Sequence, residues 1–190
     1  SLEPDKPEYK LKWPPHVDVE NPDIALSKLP LHLHEIIADL DKIRDTLAAI
    51  NAELILSSLT VLVKKDLYLN PVTHSGPWHY WNISFWPLKY ADGRMLADFQ
   101  NRVFERYAET RSIPFIDVAS RMPQDPYLFT DAVHMFEAGI RLRSWITFLE
   151  LLPILKQKIS FGQLPRQPIQ KWAIHPVLDS STALKTLLSC

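Results

Sequence analysis

The chain has 190 residues, 46% apolar and 23% charged, with 21 Lys plus Arg against 22 Asp plus Glu and a formal net charge of -1. This is the size and balance of one ordinary globular domain with room for a core, and it excludes wholesale disorder. Near-neutrality without a run of either sign excludes the basic footprint of a nucleic-acid or acidic-membrane binder, and no apolar run approaches the roughly 18 residues of a membrane span.

Residue types narrow the chemistry further. Only four glycines are present, and neither G-x-G-x-x-G nor G-x-x-x-x-G-K occurs. Phosphate-cradling loops need glycine for close backbone approach, so a nucleotide cofactor is excluded and no other cofactor is expected. The single cysteine, Cys190, offers no disulfide within the chain and no thiolate cluster for a metal. The opening SLEPDKPEYK lacks an initiator Met and the basic-then-apolar order of a secretory signal. The expectation is that something upstream was removed or that the chain is a piece of a longer one.

In chain order, residues 1–30 contain six prolines and predict an extended, irregular N-terminal segment. Leu33, Ile36, Ile37, Leu40, Ile43, Leu47 and Ile50 then recur at helical spacing, with Asp39, Asp41, Lys42, Arg44 and Asp45 opposite. AELILSSLTVLV, residues 52–63, is apolar on both alternating faces and predicts a central parallel strand. Residues 64–93 read as a long irregular segment with seven aromatics between Tyr68 and Tyr90. A second helix is predicted over 94–110, and IPFIDVA, residues 113–119, as a second buried strand. A third helix follows, with Ile140, Leu142, Trp145, Ile146, Leu149 and Leu152 inward. Residues 157–190, with Pro165, Pro168, Pro176 and a short helical pattern near Leu184–Leu188, read as an irregular tail. Strands alternating with helices predict α/β architecture, yet two strands cannot use the apolar faces of three helices, so the sheet is expected to be incomplete over residues 31–156.

One constellation carries chemistry. In LFTDAVHMFEAG, Asp131 stands three residues before His134, after the last predicted strand and at the mouth of a helix, where open parallel sheets place their crevice. Thirteen Asp and seven His yield this spacing by chance roughly half a time, so context gives it its weight. Across a tight turn, the aspartate can accept the Nδ1 proton and leave Nε2 free as a base. The bland alternative is a loop aspartate and a partly buried histidine at a helix start.

The strand IPFIDVA, the D-A-V-H-M block and the Gly139-containing helix resemble the last conserved block of the SGNH (GDSL-type) esterases and lipases. The helix and strand before them are similar to that family's penultimate unit, so the resemblance runs from about Leu33 to Pro153. It implies a three-layer α/β/α flavodoxin-like fold, here incomplete, and an ester hydrolase acting on a small-molecule ester. Asp131 would be the triad acid, His134 the general base and Gly139 the glycine of the last helix. The G-D-S nucleophile, the oxyanion-hole glycine and the G-x-N-D asparagine match nothing in the chain, and Asn21 lacks the glycine and strand that would give it the last role. Phe136 stands where the family has a capping Ser, Thr or Asn. The implied parent is a longer serine hydrolase. This chain alone is then inactive, with the missing half or another subunit as partner.

Other candidates have plainer readings. Ser75 is followed by Gly76, but with no preceding strand and no G-x-S-x-G it reads as a turn residue. His32 and His34, two apart on a predicted helix, should point different ways, and His74 and His79 lack acidic companions, so no metal site is assigned, and a metal-dependent hydrolase using His and Asp residues ranks third among the readings. The aromatic segment reads as packing under a loop. The rival to the hydrolase is a non-catalytic α/β interaction domain that docks a partner through that loop and unpaired sheet edges.

Overall fold

The computed structural model describes residues 9–63 and 67–164. The chain divides into two units, Ser1–Ile154 and Leu155–Cys190. Of the irregular tail predicted over 157–190, residues 157–160 instead continue the last helix, and residues 165–190, with the pattern near Leu184–Leu188, lie outside the described residues.

Residues 9–29 form no regular element, in keeping with their prolines. Helix α1 (Leu33–Ala49) follows. It buries Leu33 and Ile37 against Val17 and Leu29 and against Phe99, Val103 and Tyr107 of α3 (Tyr90–Arg111). Asp41 locks the two helices together by accepting from the Tyr107 hydroxyl at 3.0 Å and from Arg111 at 3.0 and 3.1 Å. The Arg111 hydrogen bonds hold the Asp41 carboxyl below its ordinary value despite the opposing pull of burial.

Among the described residues two strands are observed, β1 (Leu56–Ser57) and β2 (Phe115–Ile116), paired in parallel with Leu56 opposite Phe115. Ile55 and Ile116 pack into one apolar cluster and Leu56 into the other, so the ribbon separates two cores. Both strands are shorter than the sequence predicts, for a visible reason. Asp117 ends β2 by capping α4 (Val118–Arg121), its carboxylate accepting from Ser120 N and from the Ser58 hydroxyl. Beyond Ser58 the backbone of 59–63 finds other partners. Asn101 takes both polar groups of Leu59 at 2.7 and 3.0 Å, and Gln124 takes Val63 N at 2.6 Å and Val61 O at 3.0 Å. Leu62 N donates to Ala132 O at 2.7 Å, and Trp81 Nε1 to Leu62 O at 2.9 Å.

The long segment predicted as irregular contains α2 (Ser75–His79), which continues into one π-helical turn at Tyr80–Ser84. Its aromatics divide: Trp81 and Tyr90 are buried, whereas Tyr68, Phe85 and Trp86 are exposed. Helix α3 begins four residues earlier than predicted because Asp92 accepts from Lys89 N at 3.1 Å and secures the first turn.

Helix α5 runs Glu137–Ser160 with Pro153 inside it. The inward stripe is Gly139, Leu142, Ile146 and half-buried Glu150, which pairs with Arg121 at 2.8 Å. Ile140, Trp145 and Leu149, expected inward, are exposed. The rotation is set at the first turn, where Gly139 lies against the Leu128 carbonyl so closely that a Cβ would collide with it. A close backbone approach of this kind requires glycine.

Candidate active site

The Asp131/His134 loop is a closed backbone structure. Phe129 and Met135 form an antiparallel bridge, Thr130 N donates to His134 O at 2.9 Å, and Phe136 N donates to Leu128 O at 3.0 Å. Buried Phe129 and Ala132 anchor it from below, and Ala132 O holds Leu62 N. On its flank, Gly76 of α2 sits against the Thr130 carbonyl, again too close for a Cβ. Phe136 offers no capping side chain: its own N–H donates to Leu128 O, its carbonyl accepts from Ile140 N at 2.9 Å, and Glu137 pairs with Arg141 instead of capping.

Inside the loop both carboxylate oxygens of Asp131 are used. Oδ1 accepts from Val133 N at 2.7 Å and His134 N at 2.8 Å, and Oδ2 lies 2.7 Å from His134 Nδ1. An ionised carboxylate can only accept, so Nδ1 carries a proton, and in the neutral ring Nε2 then presents its lone pair. The Asp131 side chain is 29% exposed and that of His134 77%, so the carboxylate is held inward and the imidazole faces solvent. Partial burial pushes the Asp131 carboxyl up, but the amides of His134 and Val133 and the imidazole together bring it below its ordinary value. It stays ionised and can stabilise an imidazolium.

The loop is a ridge between two clefts. On the Asp131 side, Ser75, His79, Tyr80, Ser84 and Thr130 line a polar opening of about 500 Å³. Burial, and secondarily the Asp131 charge, pushes the Tyr80 hydroxyl up, which keeps it a neutral donor. On the His134 side, Val133, Met135, Ile140, Phe148 and Leu151 line a largely apolar groove of about 620 Å³, with Arg143 on its wall. A third groove, between α3 and α4, contains neither residue of the pair, and its amides Asn101 and Gln124 are occupied by backbone.

Among the other sequence candidates, Ser75 opens a helix instead of a strand-to-helix elbow and lines the Asp131 cleft, not the His134 groove. His79 reaches the same cleft as Asp131, a neighbour that linear spacing could not reveal across 52 positions. His74 is structural: its Nδ1 accepts from Asn70 N at 3.1 Å and its ring packs edge-on against Tyr127. His32 and His34 do not point apart. Helix α1 starts only at Leu33, and Leu31 and His32 have positive φ (59° and 55°), which swings His32 back beside Glu35. Two successive non-glycine residues in the left-handed region cost roughly 1–2 kcal/mol each.

Among the described residues no helix is long and apolar enough to cross a membrane. No protein-family model matches the chain, and no curated protein matches it. Among solved structures, it is similar to a GDSL-like lipase from Bacteroides thetaiotaomicron, with a TM-score of 0.40, 18% identity and coverage of 75% of this chain and 60% of that one. The chain therefore spans about 60% of the length of that lipase.

Proposed function

We propose that Asp131 and His134 are the acid/base half of an SGNH-type serine ester hydrolase, and that this chain is the C-terminal part of its three-layer α/β/α domain. The carrying observation is the 2.7 Å contact from Asp131 to His134 Nδ1 in a loop whose backbone fixes the carboxylate, with the far side of the ring open to solvent. His134 Nε2 removes the proton from a serine hydroxyl as it attacks the ester carbonyl, Asp131 stabilises the imidazolium, and the same proton passes to the departing alkoxide. The nucleophile and the backbone donors for the oxyanion come from outside residues 1–190, in the missing half or another subunit. No cofactor takes part.

The two clefts suit an ester of unequal halves: an apolar acyl chain along Val133, Ile140 and Phe148, and a polar alcohol among Ser75, His79 and Tyr80. In the protein joining this chain to its nucleophile-bearing segment, His134→Ala lowers ester turnover about 10²–10⁴-fold, the usual worth of a positioned base. Full activity in that variant excludes the role. The chain alone hydrolyses activated esters negligibly and is not labelled by a fluorophosphonate probe.

A second reading, a non-catalytic interaction domain, draws on the exposed Ile140, Trp145, Phe148 and Leu149 of α5. It predicts that His134→Ala leaves every activity of the joined protein unchanged, whereas charge substitutions at Trp145 and Phe148 abolish association.

A further inference from the structure

The start of α1 holds the one group of histidine and carboxylate side chains among the described residues whose ligand atoms converge as a metal site requires. The ligand atoms of His32, His34 and Glu35 all lie within 4.8 Å of one another. His32 Nδ1 is 3.3 Å and His34 Nε2 3.7 Å from the same Glu35 oxygen. Around a tetrahedral zinc ion with bonds of about 2.0–2.2 Å, neighbouring ligand atoms sit about 3.3–3.5 Å apart. Two of the three separations are therefore already close to what the ion demands.

The three side chains differ in how freely they can move. His34 is the fixed ligand: its Nδ1 is shut away from solvent without a partner and its side chain is 29% exposed, so Nε2, which faces Glu35, is the nitrogen left for a ligand. His32 and Glu35, exposed at 81% and 67%, are free to close the remaining gap and leave a fourth position for water. The positive end of the helix opposes a cation there, and the Glu35 carboxylate in the first turn offsets it. Two imidazoles and one carboxylate are a borderline donor set, which selects zinc-class ions over calcium or magnesium. The left-handed pair Leu31 and His32 brings the first ligand round to the other two.

We propose that His32, His34 and Glu35 bind a zinc-class divalent cation that ties the turn before α1 to the helix's first turn. The proposal is independent of the hydrolase reading. It is tested by calorimetric titration of Zn²⁺ into the full chain, in parallel with His32→Ala, His34→Ala, Glu35→Gln and, as reference, His16→Ala. The expected result is one site per chain, weakened at least tenfold by either substitution at His32 or His34, less by that at Glu35, and unchanged by that at His16. Zinc should also raise the melting temperature of the parent chain but not of His32→Ala. His32 is largely exposed, so that variant folds and is decisive. Absence of a one-to-one site, or affinity retained within twofold in His32→Ala, overturns the proposal.

Discussion

Two segments of this molecule place a histidine and a carboxylate three residues apart, and they use the spacing in opposite ways. In Asp131–His134 the acid comes first, is mostly buried and accepts two backbone amides before it meets Nδ1 at 2.7 Å. In His32–Glu35 the base comes first, both side chains are mostly exposed, and the contact is 3.3 Å with a second imidazole sharing the same oxygen. Backbone, not spacing, makes the difference. The Asp131 carboxylate is held by main-chain donors and meets one imidazole, as the proposed proton relay needs, whereas that of Glu35 meets two imidazoles, as the proposed cation site needs.

That contrast can be broken at several points. The largest effect is the 10²–10⁴-fold loss of turnover for His134→Ala in the joined protein; no change at His32 or Glu35 should approach it. Next is Gly139→Ala, or equally Gly76→Ala. Each puts a methyl group against a main-chain carbonyl beside the Asp131 loop. Overpacking costs about 1–3 kcal/mol, against which a helix gains roughly 1 kcal/mol on replacing glycine. Because the colliding atoms are backbone and cannot swing aside, we expect net destabilisation, measured by urea unfolding, with perturbed His134 ring signals.

Of similar size is Asp131→Ala, which strips the amides of Val133 and His134 of their acceptor. Both lie near solvent, so we expect about 1–2 kcal/mol, against less than about 0.5 kcal/mol for the exposed pairing lost in Glu35→Gln. The pH dependence carries a sign. The Asp131 carboxyl lies below its ordinary value in the folded state, so its contribution is full above the ordinary aspartate range and is lost as pH falls through the lower folded value. Asp131→Asn should flatten that part of the acid limb of stability, and Glu35→Gln should leave it alone.

The sequence revealed what rests on local periodicity and local turns. The apolar repeat of α1 ends within a residue of its predicted limit, and Asp131 and His134 meet because their contact closes within one turn. It concealed what depends on distant partners. Residues 59–63 look like strand, but Asn101, Gln124 and Ala132 take their backbone groups. Helix α5 mixes apolar and charged residues on every side, with Glu150 on the inward stripe and Trp145 outside, so its sequence could not show which stripe faces inward; the Leu128 carbonyl against Gly139 decides that. The convergence of His32 and His34 is not legible in P-L-H-L-H, because nothing there announces two left-handed residues before a helix.

The role proposed for His134 requires a ring held through Nδ1 with Nε2 free, and nitrogen-detected NMR of the imidazole in its neutral form measures this directly. We predict an unprotonated Nε2 resonance for His134 and a protonated Nδ1 coupled to the Asp131 carboxylate, with the preference lost in Asp131→Ala. A protonated Nε2 in the parent chain, or the same tautomer mixture with and without Asp131, contradicts it.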